Sequence, residues 1–259
     1  MKKGTKVILL RLALVAGLLA LWQLLALQAV ADGNNNFEVY FSSPIAILQA
    51  LLDNRALLLS DTGMTLSEAF LGFCIGVVTG VITAILFAQF EIVDLVVEPI
   101  FQALNSIPRP ALAPLLIIWF GLGMVSKVTV AWSVVFFIMF YNVHAGVKSI
   151  DPDYVKSIRL LGASSRQIIG IVIVPAIVSW VFAALRICVA YSLLGAIVGE
   201  FAGATSGLGY RLIVAEGLLQ TDLLYAIILI LMVVGYVLAA TTKRIESRLL
   251  RWRPPVTAI

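Results

Sequence analysis

The sequence predicts an all-α, polytopic membrane protein with six transmembrane helices. Three observations carry that prediction. Hydrophobic residues make up 61% of the 259 and charged residues 12%, about half the charged share of soluble domains. Apolar runs recur along the chain, each near the roughly 20 residues a helix needs to cross a bilayer. The basic residues gather in alternate connecting segments, as expected when one side of the membrane retains positive charge. Cys74 and Cys188 lie inside apolar runs and His144 is the single histidine. That supports neither a disulfide framework nor zinc-ligand spacing, and both cysteines read as small apolar side chains.

The chain opens MKKGTKVILLR, with Lys2, Lys3, Lys6 and Arg11 ahead of an apolar run that reaches Ala31. A signal peptide cut at the small residues of Ala29–Gly33 is one reading. The run from Val7 exceeds the ~7–15 apolar residues of such a signal and contains Trp22, which favours a retained first span. From Asp32 to Asp61 the chain is more polar. DGNNNFE reads as a loop, and SSPIAILQALLDNRALLLSD as an amphipathic helix opened by Ser43 and Pro44, lying along the outer surface.

Met64 to Phe90 is the second expected span. Its Gly72, Gly76 and Gly80 recur every four residues, the small-residue face that lets membrane helices approach closely. Glu91 to Phe120 has an acidic start (Glu91, Asp94, Glu98), then Pro99, then Pro108, Pro110 and Pro114. Three prolines in seven residues do not continue a regular helix, and broken backbone at membrane depth is tolerated where it is buried or lines a cavity. Arg109 in this stretch is either a functional intramembrane cation or a side chain snorkelling to the headgroups.

Lys127 to Val147 is the fourth span, rich in aromatics (Trp132, Phe136, Phe137, Phe140, Tyr141), with Asn142 and His144 near its inner end. Ala176 to Phe201 is the fifth and carries Arg186 and Glu200. Glu200 lies in GAIVGEFAG, where it lines a pathway or caps the outer end; a structural role is the favoured reading of both charges. GATSGLGYRL at 203–212 reads as a glycine-rich outer loop. No G-x-x-x-x-G-K-[ST] nucleotide loop occurs in the chain. Leu223 to Ala240 is the last span, followed by TTKRIESRLLRWRPP.

Between the fourth and fifth spans lies DPDYVKSIRLLGASSRQIIGIVIVP, Asp151 to Pro175. Asp151 is placed to cap a helix and Pro152 suits its first position. Tyr154, Ile158 and Leu161 fall at i, i+4 and i+7, one apolar stripe, with Lys156 and Arg159 off it. Gly162 stands where a helix ends in a left-handed turn, and Ser164 with Gln167 forms a capping box. Three readings fit: a polar inter-span loop, a DNA-reading helix-turn-helix, and an element docking on a cytoplasmic partner. Membrane-length apolar runs on both flanks argue against DNA. With the N-terminus inside and six spans, 13 of the 18 Lys and Arg fall on the cytoplasmic side, which places this stretch there too.

A cytoplasmic loop ending G-x9-[IV]-x-[LV]-P, here Gly162, Val172, Val174 and Pro175, resembles the coupling motif of importer-type ABC transporter permeases. SPIAILQALL, PIFQALNSIPRPALAPLLIIWFGLGMVSK, AGVKSIDPDY, GEFAGATSGLGY and the basic RLLRW are similar to the nitrate, sulfonate and taurine permeases of that group, whose relatives handle thiamine precursors and aromatic acids. The resemblance covers nearly the whole chain. It implies a five-helix permease core plus an N-terminal helix and a cytoplasmic coupling helix. It divides the chain into an N-terminal helix with outer amphipathic segment (1–63), a permease core (64–242, coupling loop 148–175) and a basic tail (243–259). ATPase coupling falls on Tyr154, Lys156, Ser157, Ile158, Arg159, Leu161, Gly162 and Ala163. The family's usual Glu-Ala-Ala is replaced by Lys156, Ser157 and Ile158, which reverses a charge.

The implied partners are two ABC ATPase subunits, an extracytoplasmic solute-binding protein and a second permease copy. The chain itself binds no cofactor, ATP and Mg²⁺ belonging to the ATPase. The implied place is a bacterial inner membrane, with both termini cytoplasmic. Arg109, Asn105 and Glu200 are the candidate translocation-pathway residues, for a small, anionic solute. An ATP-independent secondary transporter is the alternative. It calls for paired intramembrane charges, for which Arg109, Arg186 and Glu200 are the candidates. An intramembrane enzyme needs a nucleophile–base or metal set that one histidine and scattered cysteines do not supply.

Overall fold

A computed structural model describes residues 3–32 and 40–249. Most of the DGNNNFE stretch, Lys2 and the end of the basic tail from residue 250 lie outside the described residues. Among the described residues eleven α-helices follow one another: α1 Lys3–Ala31, α2 Pro44–Asp53, α3 Arg55–Gln89, α4 Glu91–Asn105, α5 Arg109–Phe120 and α6 Met124–Lys148. Then come α7 Pro152–Leu160, α8 Ser165–Ile168, α9 Val174–Ala202, α10 Leu208–Gly217 and α11 Thr221–Leu249, with a π turn Ile169–Ile173 joining α8 to α9. Among the described residues five helical segments are long and apolar enough to cross a membrane, and six if the bent pair α4–α5 counts as one.

The centre of the bundle is α6, flanked by α3 and α9. The expected glycine face of α3 explains how they meet. A Cβ on Gly72 would stand 2.5 Å from Cβ of Ala131, on Gly76 2.7 Å from Cβ of Val135, and on Gly80 2.9 Å from Cβ of Met139. Glycines every four residues thus receive α6 side chains every four residues. On the other side, a Cβ on Gly195 would stand 2.7 Å from Cα of Ala131. Ala131 is held between two glycine surfaces and is fully buried. Backbone approach of this kind replaces the solvent-driven force that helices lack in lipid. Towards the α7 end, Met139, Phe140 and Val143 of α6 pack with Ile177, Ala184 and Cys188 of α9.

Three expected boundaries are corrected. The amphipathic segment ends at Asp53, and the second span begins at Arg55 rather than Met64. The helix runs on through Thr62 and Thr65, whose hydroxyls return to the carbonyls of Leu58 and Asp61, so the boundary at residue 63 falls inside α3. The glycine-rich loop is shorter than 203–212, because α10 starts at Leu208. The fifth span does not start afresh at Ala176. The helix from Ser165 to Ala202 is continuous through the π turn, where the wider turn eases the fit of Pro175, whose ring and missing N–H strain an ordinary one.

The third expected span is two helices meeting at 94°. The break sits at Ser106–Ile107–Pro108. Pro110 enters the first turn of α5, and Pro114 is carried inside that helix, so only Pro108 stands at the bend itself. The α1 helix leans on this bundle through Trp22, edge-on to Tyr225 at 5.7 Å, and Gln23, whose Oε1 accepts from Ile45 N–H.

Candidate functional site

The stretch 151–175 folds as its sequence spells. Asp151 accepts from Asp153 N–H at 2.9 Å, Pro152 opens α7, and Gly162 takes φ +87°. Ser164 and Gln167 form the reciprocal capping box that begins α8. One detail of the apolar stripe is corrected. The edge carrying Val155 and Ile158, three residues apart, rests on the core cluster that includes Ile168 and Val172. Ile158 therefore faces the chain's own core. Tyr154 is 55% exposed, Leu160 89% and Leu161 87%, so Leu160 takes the place expected of Ile158 on the exposed apolar surface. Lys156 Nζ lies 2.9 Å from Asp153 Oδ1, a pair exposed to solvent on both sides and hence weak. Ser157 donates to Asp153 O, Arg159 is exposed, and Ala163 is partly buried.

The bend between α4 and α5 brings Asn105 and Arg109 together. Arg109 donates to Asn105 Oδ1 at 2.7 Å and to the carbonyls of Leu104 and Asn105, closing the last turn of α4. Its guanidinium also lies 4.9 Å above the Phe137 ring of α6. The cation is partly buried and held at the corner by its own chain.

Two polar clusters cross the helices at opposite ends. At the α7 end, Asp94 of α4 lies against His144 and Lys148 of α6, and Lys148 also reaches Glu98 at 3.3 Å. Asp94 and His144 are buried. Both partners are i, i+4 pairs, Asp94 with Glu98 and His144 with Lys148, so each presents two groups on one face. That spacing was the available signal for a pairing the sequence reading missed.

At the other end Asp61, Thr65 and Glu68 of α3, Lys127 of α6 and Glu200 of α9 are all buried. Gly207 N–H donates to Asp61, Leu208 N–H to Thr65 Oγ1 and Gly209 N–H to Glu200 Oε2. The start of α10, where backbone donors have no helical partner, is thus capped by side chains from two other helices. A Cβ on Gly209 would stand 2.7 Å from Glu200 Oε2, so glycine makes room for the carboxylate. Arg211 pairs with Asp61 at 2.8 Å. Glu200, a pathway candidate, faces no open path in this chain: it is 1% exposed and bonded to Thr65 and Gly209. Arg186 pairs with Glu246 of α11 at 2.5 Å. Glu68 is an intramembrane charge that sequence reasoning passed over, although an acid inside the apolar run after Met64 was itself the signal.

Membrane-length helices packed through glycine faces, a bent helix pair at their flank and a capped helix projecting from one end define a membrane transport subunit. The model of binding-protein-dependent transport system inner membrane components matches residues 76–251. The chain belongs to that family and is a permease subunit of the ABC importer type. It is 33% identical to the formylaminopyrimidine transport permease protein ThiX of Halalkalibacterium halodurans, covering 82% of this chain and 85% of that one. It is 30% identical to the putative aliphatic sulfonates transport permease protein SsuC of Bacillus subtilis, over 93% of this chain and 87% of that one. The fold is shared with a chain in the crystal structure of an amino acid ABC transporter with histidines, at a TM-score of 0.62 and 20% identity, covering 79% of this chain and 98% of that chain.

Proposed function

We infer that this permease forms the translocation pathway for a small, anionic solute and is driven by separate ATPase subunits docking on α7. The observation that carries the docking is the exposed surface of Tyr154, Leu160 and Leu161 on a short helix capped at both ends. A clustered apolar surface on an otherwise polar, charged segment marks a protein contact. The rigid turn at Gly162 and the continuous helix beyond Ser165 make that contact a lever on α9. Two ATPases, a second permease copy and an extracytoplasmic solute-binding protein complete the assembly. The chain's role is non-catalytic, with ATP and Mg²⁺ on the ATPase. The basic residues on the loop side support a cytoplasmic position for both termini. The anionic preference rests on Arg109, a partly buried cation at the bend, and is shared with the sulfonate relative.

The test is uptake and ATP hydrolysis measured together in the reconstituted complex. Leu161→Ser and Gly162→Val are expected to leave ATP hydrolysis running while uptake drops ~10-fold or more, the scale of a typical coupling energy. Uptake at the unaltered level in both variants would sink the docking role.

A further inference from the structure

The buried cluster at the end opposite α7 holds more negative than positive charge. Asp61, Glu68 and Glu200 supply three acids, Lys127 and Arg211 two bases, which leaves one negative charge over. The acids are not equally served. Asp61 has Arg211 and Gly207 N–H, at 2.8 and 3.0 Å. Glu200 has Thr65 Oγ1 and Gly209 N–H, at 2.7 and 2.5 Å, beside the partly positive start of α10. Lys127, buried in the same cluster, points its ammonium at the carbonyls of Leu122 and Gly123, at 2.6 and 3.3 Å. Glu68 is 0% exposed and lies beside the Glu200 carboxyl, and neither of its oxygens has a hydrogen-bond partner. An ionised carboxylate with no partner, sealed from water, costs several kcal/mol or more. A lone orphaned acid in an otherwise satisfied cluster calls for an occupant.

We propose that this cluster is a proton-binding site, with one proton carried on Glu68 and shared with Glu200. The proton makes the charge count zero and converts a Glu68 oxygen into a donor towards the neighbouring carboxylate. No third acid, histidine or cysteine joins these two as a metal-ligand set among the described residues. The site joins α3, α6, α9 and the start of α10, so the proton is trapped while that end is packed and exchanges with water only when those helices part. Proton exchange at Glu68 is therefore a reporter of opening at this end, and independent of which solute is carried.

The experiment is infrared spectroscopy of the whole transporter in nanodiscs at neutral pH, with thermal melting across pH. The wild type is expected to show a protonated-carboxyl C=O band that Glu68→Gln removes and Glu98→Gln leaves. Melting of the wild type should fall as pH rises, because loss of the proton strands a buried charge, whereas Glu68→Gln should not follow it. A carboxyl band unchanged by Glu68→Gln would overturn the proposal. So would melting that rises with added Na⁺ in the wild type alone, which would make the occupant a metal cation. Should Glu68→Gln not assemble, Glu68→Asp decides instead: ¹³C-carboxyl glutamate must shift the wild-type band and fail to shift the band of Glu68→Asp, and a shift in both would overturn the proposal.

Discussion

Asp94 Oδ1 lies 2.7 Å from Nε2 of His144, and its Oδ2 lies 2.8 Å from Nζ of Lys148. One carboxylate on α4 thereby holds two groups one turn apart on α6, a few residues before α7 begins. The ring of His144 is stacked on Phe140, 5.4 Å away, so the histidine is fixed from both sides. The bent pair is thus fastened to the chain that leads into α7. Asp94→Asn retains one acceptor but loses the charge. It is expected to destabilise the permease by about 1–3 kcal/mol, read as a lower melting temperature, and to reduce uptake more than ATP hydrolysis. An unchanged ratio of uptake to hydrolysis would show that the clasp only holds α4 in place.

The glycine seam gives a sharper packing test. Gly76→Leu places a Cβ 2.7 Å from Val135 Cβ, and because Val135 is fully buried the helices must separate. Destabilisation of about 1–3 kcal/mol or more is expected, with loss of assembly. Gly63→Ala on the same helix meets nothing within 4 Å and should stabilise by up to ~1 kcal/mol from helix propensity. Melting curves of the two variants in one detergent decide it; equal behaviour would contradict the packing.

Arg109 is predicted to act on solute rather than on assembly. Arg109→Ala removes the closure of α4 and the contact with Phe137, a loss of about 0.5–2 kcal/mol for the ring contact. Arg109→Lys keeps a cation on the ring but loses the fork that reaches three acceptors. Uptake of an anionic solute should vanish in the first and survive weakly in the second, with ATPase co-purifying in both. Full uptake by Arg109→Ala would remove this side chain from the pathway.

Much of the loop 151–175 was legible because its signals are local. Asp151, Gly162, Ser164 and Gln167 each satisfy a backbone group within a few residues, Pro152 fits a position that needs no donor, and that geometry does not depend on the rest of the fold. The glycine face of α3 was legible for the same reason, but not its partner: which helix fills Gly72, Gly76 and Gly80 is decided only when Ala131, Val135 and Met139 arrive. Ile158 was misplaced because periodicity tells which residues share a face, not which edge of that face leans on the core. The two polar clusters escaped because their helices meet only in three dimensions, with Asp94 and His144 50 positions apart and Thr65 and Glu200 135. Charges at such separations pair only through tertiary structure.

The π turn at Ile169–Ile173 sets a rotational phase. One extra residue in a turn advances everything beyond it by about 100° around the helix axis. Gly195 and Gly199, which lie close against Ala131 and Lys127, are therefore aimed by a wide turn more than twenty residues upstream. Removing a single residue there would leave the composition of α9 almost unchanged and yet swing its glycines away from α6, turning bulky side chains into the seam. The aim of the helix is written beside the α7 loop, far from the surface it governs.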